Sequence, residues 1–406
     1  MSAAISESPM VTKPSVTSAL LPIMSVVFIG FLIIGMALPV LPLHVHQGLG
    51  LSTFVVGLVT GSQFVAALIS RVWSGHYADS RGAKRAVLAG LLAAVAGGLL
   101  YLVSLRFVGT PGVSAAILLV GRALLGAAES FIITGGVTWG LALAGPTNAG
   151  KVIAWVGMAM FAALASGAPL GTILYSHGGF TAIALATALI PLASMVVVAP
   201  LASVPPRRSA RSHLLRVARA VWLPGIGSAL TTFGFGGLIA FSSLLSAERD
   251  WNPVWLLFSA FAAALVVARL FLGHLPDRLG GARVALMSAG IEAVGLALIW
   301  SAPDRLVAAT GAVLTGLGYA LVYPGLGVEA VRRAPPESRG LAMGAYTAFL
   351  DVALGFGSPA LGLVAGRAGL SSVFLISALL VLGAMIIALR LLRRPSEAIL
   401  MIEKRL

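Results

Sequence analysis

The chain has 406 residues, of which 59% are hydrophobic and 10% charged, and it contains no cysteine. A soluble domain carries about 25% charged residues, so a water-soluble enzyme is nearly excluded, and without cysteine there are no disulfides, thiolate metal sites or cysteine nucleophiles. The net charge of +14 falls in short clusters between long apolar runs, a membrane-topology pattern and not a nucleic-acid-binding patch.

A bilayer-spanning helix needs about 20 apolar residues. Such runs are predicted at 19–43, 53–72, 86–104, 113–141, 151–174 and 180–203, then at 220–246, 253–272, 283–301, 305–330, 340–364 and 370–392. The first run follows Lys13 but is too long for a signal-peptide core, so it is read as a membrane helix. The fold class is therefore an all-α membrane protein of twelve transmembrane helices in two six-helix bundles. The division is 1–203 for the first bundle, 204–219 for a linker, 220–392 for the second bundle and 393–406 for a tail.

The linker carries Pro205, Pro206, Arg207, Arg208, Arg211, Arg216 and Arg219. It reads either as a basic segment lying on the membrane surface or as a solvated connector. Counting Lys and Arg over alternate loops leaves Arg106, Arg249, Arg305 and Arg367 on one side and nearly all the rest on the other. The positive-inside rule then puts both termini in the cytoplasm.

An internal repeat supports the division. Arg71, Gly75, His76, Asp79, Gly82 and Arg85 recur 198 residues later as Arg269, Gly273, His274, Asp277, Gly280 and Arg283. In spans four and five the offset becomes 190, relating Gly121, Gly126, Gly167 and Pro169 to Gly311, Gly316, Gly357 and Pro359. Two parallel halves of this kind are a transporter architecture, with the substrate site where the halves meet.

The segment Gly75-His-Tyr-Ala-Asp79-Ser-Arg81-Gly82-Ala-Lys84-Arg85 resembles the signature loop of the major facilitator superfamily. The resemblance covers nearly the whole chain. Through Leu38-Pro-Val-Leu-Pro-Leu-His44 and Trp139-Gly-Leu-Ala-Leu-Ala-Gly-Pro146 it is nearest to uncharacterised bacterial inner-membrane members of the proton-coupled drug and sugar efflux type. It implies alternating access by rocking of two bundles. Ser80 and Ala83 replace two basic residues of the family loop, while Arg81, Lys84 and Arg85 keep the positive charge. Glycines there permit a tight turn, and Asp79 is suited to cap a helix N-terminus or pair with a base. Gly75, Asp79, Arg81, Gly82, Lys84 and Arg85, with Gly273, Asp277, Arg278, Gly280 and Arg283 in the second half, are accordingly assigned to gating. Topology and packing alone are the simpler reading.

In span four, Gly121-Arg122-Ala-Leu-Leu-Gly126-Ala-Ala-Glu129 resembles the family motif in which a buried arginine tunes proton coupling. An unpaired Arg at helix-centre depth costs about 2.5–3.5 kcal/mol on the insertion scale, so Arg122 is expected either to face a cavity with a partner or to snorkel to the surface. Glu129, seven residues on, shares its face about 10 Å along the axis. Asp351 in span eleven is the sharpest further candidate, since intramembrane acids are functional by default. Glu292 is read as either structural or at the lipid edge, and Glu329 as lying at a cytoplasmic helix end. Arg122, Glu129 and Asp351 form the proton-coupling set.

The segment Ser166-Gly-Ala-Pro169-Leu-Gly171 resembles the antiporter motif in part, Ala168 standing where the family has Gly, and packing is the stronger reading. Gly145 to Lys151 nearly matches a phosphate-binding loop, but Val152 lacks the required hydroxyl and no strand precedes it. No ATP, metal or other cofactor is expected, and no catalytic constellation appears. Gln63, Trp155, Phe233, Tyr319 and Tyr323 are candidate cavity-lining residues, and His44 and His46 are interfacial, read as either pH-sensing or solvated. The expected function is proton-coupled export of small organic molecules, drugs or sugars, from a bacterial cell. Its partners are substrate, protons and the lipid bilayer, with no nucleic acid and no obligate protein partner. Uptake by the same residues is the alternative, and a membrane-embedded enzyme or receptor a more distant one.

Overall fold

In lipid every backbone polar group must be satisfied within the chain, so long apolar runs resolve into helices. The computed structural model describes residues 16–145, 149–201, 203–204, 214–334 and 339–393. The first half comprises α1 (Val16–Leu43), α2 (Thr53–Arg81), α3 (Ala83–Ser104) and α4 (Pro111–Ala144). The run Ala149–Val198 then breaks at Gly179, whose φ of 58° and ψ of −160° end helical geometry, giving α5 over 149–178 and α6 over 180–198. The second half comprises α7 (Leu214–Glu248), α8 (Leu256–Leu272), α9 (Gly281–Ser301), α10 (Arg305–Arg333), α11 (Arg339–Ala368) and α12 (Ser372–Arg393). Linker residues 205–213, the tail 394–406, Lys13 and residues 146–148 lie outside the described residues.

The helices outrun the apolar spans read from sequence. Predicted span two stops at 72, yet α2 continues to Arg81 and turns into α3 through Gly82 alone. Gly82 sits at φ 94°, a region open to glycine and strained for other residues, and its repeat partner Gly280 sits at φ 87°. In the second half the chain leaves α8 at Gly273 and makes one short helical turn, Leu275–Leu279, before α9. Large apolar side chains such as Val72, Trp73, Val196 and Phe271 are exposed on the outside of the bundle, as a lipid-facing surface requires.

The repeat reappears as repeated contacts. A β-carbon on Gly126 of α4 would collide with the Gln63 carbonyl of α2, and one on Gly316 of α10 with the Phe261 carbonyl of α8. Gln63 and Phe261 are themselves related by the 198-residue offset. Gly97 and Gly121 meet between α3 and α4 as Gly295 and Gly311 meet between α9 and α10. Lipid gives no hydrophobic drive to helix association, so such backbone approach supplies the packing.

Between the halves, α2 packs on α11, α5 on α8 and α1 on α7. The α2–α11 seam is backbone-close at the end away from the termini. There a Cβ on Gly57 would strike the Ser358 carbonyl, and Thr53 Oγ1 donates to the Gly362 carbonyl at 2.8 Å. The α5–α8 seam is held at that end by Ser259 Oγ, which donates to the Ala165 carbonyl at 3.1 Å. Phe161 and Phe235 stand 6.4 Å apart and continue through Phe261 to Tyr319, an aromatic cluster joining α5 to α7, α8 and α10.

Candidate functional site

Moving from these seams toward the termini, the first charged groups met are two arginines related by the repeat. Arg71 of α2 donates to Asp351 of α11, Nη2 to Oδ2 at 2.6 Å and Nε to the same oxygen at 3.1 Å. Asp351 is buried and Arg71 partly so. Among the described residues this is the single ion pair that joins the two halves, the others being contacts of Glu329 within α10.

Arg269 of α8 occupies the equivalent place on the other seam. The residue equivalent to Asp351 there is Phe161, and Arg269 Cζ lies 4.6 Å from the Phe161 ring centroid. One seam therefore carries a carboxylate under its arginine and the other a phenyl ring.

Glu129 lies on α4 within electrostatic reach of Arg71, Arg122 and Asp351, and its Oε2 accepts from Gln63 Nε2 at 2.7 Å. Gln63, expected to line a cavity, is buried at the α2–α4 crossing. Arg122 is fully buried, so it does not snorkel, and all three guanidinium nitrogens lack a hydrogen-bond partner. The Tyr101 hydroxyl is the polar group nearest to it and faces the guanidinium, outside strict hydrogen-bond geometry. Tyr101 in turn packs on Phe180, on which His44 stacks at 4.1 Å. His44 is thus a buried ring and not an interfacial, solvated one.

Tyr319 is buried in the aromatic cluster described above, so it packs where a cavity wall was expected. Tyr323 is partly open, shares a 2.8 Å hydrogen bond with Thr347, and lies within electrostatic range of Arg71, Asp351 and Arg269. Phe233 packs against Gly357 of α11, and Trp155 is partly buried on α5. Glu292 is fully buried where α9 faces α7 and α10, which removes the lipid-edge reading. Among the described residues no cluster of three His, Asp or Glu side chains is placed to hold a metal ion.

The signature segments prove to be helix ends. Gly75, Asp79 and Arg81 belong to the last turns of α2, and Asp79 makes neither an ion pair nor a helix cap among the described residues. Its expected capping role is absent because α2 stays helical past it and Gly82 serves as N-cap. Arg85, Asp277, Arg278 and Arg283 are exposed, as are Gly273 and Arg81. In the second half it is Glu329 that serves the start of α9, accepting from the Ala282 amide at 3.3 Å while pairing with Arg333.

Lys84 does more than set topology. Its Nζ donates to the Ala199 and Leu201 carbonyls, both at 2.7 Å, and so closes the open end of α6. Lys84→Met should cost about 1 kcal/mol of stability, read as a lower melting temperature of the purified protein, with Lys84→Arg retaining most of it. An unchanged melting temperature in Lys84→Met would show that the cap is dispensable.

The sequence missed Arg71, Arg269 and Phe161 as site residues, although the two repeat offsets held the signal: they align the arginines with each other and Asp351 with Phe161. Two six-helix halves in parallel repeat, meeting at seams lined with charge, define a multi-pass helical membrane transporter. The sequence profile of the Major Facilitator Superfamily matches residues 23–256 and 225–400, and the chain belongs to that family. It is 44% identical to an uncharacterised MFS-type transporter of Salmonella typhimurium over 94% of this chain and 99% of that protein. A second such transporter, of Pseudomonas aeruginosa, is 40% identical over 94% and 95%. The fold is shared with the crystal structure of the nucleoside transporter NupG, at TM-score 0.68 and 15% identity, over 92% of this chain and 98% of that one.

Proposed function

We propose that the protein is a proton-coupled exporter of small organic molecules, working by alternating access across a bacterial inner membrane with both termini in the cytoplasm. The observation that carries this reading is the Arg71–Asp351 pair across the seam. Alternating access requires the halves to part and rejoin on each side in turn. A charged Asp351 holds Arg71 and keeps α2 on α11; a protonated Asp351 releases the guanidinium and weakens that seam.

Glu129 and Gln63 give the proton a second position within reach of the pair. Arg122, on the same helix, is within electrostatic reach of that position. Asp79, Arg81, Lys84 and Arg85, with Asp277, Arg278 and Arg283 of the second half, act at the cytoplasmic corners, where loop position sets the gate. Export as the direction rests on the resemblance of Leu38–His44 and Trp139–Pro146 to the efflux type.

Purified protein in proteoliposomes with an imposed pH gradient tests the reading, with lumenal pH followed while organic cations, anions and sugars are added. Substrate-triggered proton movement is expected in the wild type, its sign giving the direction, and a reduction of tenfold or more in Glu129→Gln. Substrate that equilibrates with no proton movement in the wild type would make the protein an uncoupled facilitator.

A further inference from the structure

Arg269 is an arginine without an acid. Its Nε is buried and has no acceptor, and among the described residues the guanidinium makes no hydrogen bond or ion pair. The acids nearest the seams are committed elsewhere, Asp351 to Arg71 and Glu129 to Gln63. The groups that act on Arg269 electrostatically are the hydroxyls of Tyr319, Tyr323 and Tyr346, none of which carries a formal charge as a phenol.

The Phe161 ring attracts the cation through its face, yet it offers no lone pair to the five N–H donors of the guanidinium. A partly buried charge with unmade hydrogen bonds is costly, and a planar bidentate acceptor is the group that relieves the cost. Arg269 is only partly buried, so the unmet donors are within reach of a solute.

We propose that Arg269 is the anchor for the carboxylate of an organic anion. The proposal rests on the transport reading above and names its substrate class: small organic carboxylates. The pseudo-symmetry gives the site its logic. Where the first seam gives its arginine a carboxylate from Asp351, the second gives Arg269 only the face of Phe161, and the carboxylate comes with the substrate.

The test is binding, which needs no proton movement. Thermal stabilisation of the purified protein is titrated with benzoate and 2-naphthoate against their uncharged isosteres benzamide and 2-naphthamide. In the wild type the acids are expected to stabilise at concentrations at least tenfold lower than the amides. Arg269→Gln should abolish that preference. Phe161→Asp, which keeps Arg269 but supplies an internal carboxylate, should abolish it too, and serves if the first variant does not fold. Equal response to acids and amides in the wild type, or a preference that survives both substitutions, would overturn the site. Proton-coupled transport of neutral solutes with no preference for acids would remove the site and leave the transport reading intact. An Arg269-dependent preference without proton movement would do the reverse.

Discussion

Replacing Asp351 with asparagine should reduce substrate-driven proton movement at least tenfold while substrate binding persists. The carboxylate is buried at the α2–α11 seam, with both Arg71 donors converging on one oxygen. Asparagine keeps the shape but cannot exchange a proton. It also leaves Arg71 facing an amide, and removal of one partner from a buried pair costs about 3–5 kcal/mol, less here because Arg71 is partly open to solvent. A double-mutant cycle separates the two losses. Arg71→Gln combined with Asp351→Asn should recover the melting temperature lost by either single variant without recovering coupling. Full coupling in Asp351→Asn would exclude this acid as the proton carrier and leave Glu129 as the candidate.

The second large effect is steric and acts on the equilibrium between conformations. At Gly57 the backbones of α2 and α11 are so close that any β-carbon meets the Ser358 carbonyl. Overpacking of this kind costs about 1–3 kcal/mol. Because the collision lies between two halves that separate during transport, parting the seam relieves it. Gly57→Val is therefore expected to shift the population by about 5- to 150-fold toward the form in which the seam is parted. The chain has no cysteine of its own, so a single Thr53→Cys, at a buried side chain that reaches across the seam to Gly362, reports the opening directly. Its labelling by a thiol reagent should rise about tenfold or more in the Gly57→Val background, with transport correspondingly slowed. Labelling that stays at the wild-type level with normal transport would show that the seam does not open there. Gly126→Val makes the control: the same collision occurs inside one bundle, between α4 and α2, and no rocking motion relieves it. Loss of folded protein is the expected result.

The twelve spans and the doubled architecture were readable because apolar length and repetition are properties of the chain itself. The ends of the helices were not. Hydropathy falls at Arg71, Ser74, His76, Asp79 and Arg81, so span two as read from sequence stops at 72. Helical hydrogen bonding is indifferent to side-chain polarity, however, and α2 runs on to Arg81. That boundary put Arg71 at the margin of its span, where a basic residue reads as topology, and hid the partner of Asp351. Glu329 was correctly placed at a helix end, but its role as acceptor for the Ala282 amide of α9 depends on a neighbouring helix that sequence order does not reveal. Arg122 and Glu129 stood out as charges in apolar surroundings; which of them is satisfied depended on Gln63, an uncharged residue with no signal of its own.

The corners after α2 and α8 differ in a way that bears on mechanics. In the first half a helix of 29 residues runs unbroken to a single-residue turn. In the second, a helix of 17 residues gives way to a short turn of helix before the next span begins. At 1.5 Å per residue these are about 43 Å and about 26 Å long, so a rigid 10° swing about their first residues would carry their tips about 7.5 Å and about 4.5 Å respectively. The first half thus behaves as a stiff lever that transmits rotation to its corner, while the second has a knee that absorbs it. In the rocking proposed above, torque from the seams reaches the first corner through one unbroken helix and the second through a bend at Gly273.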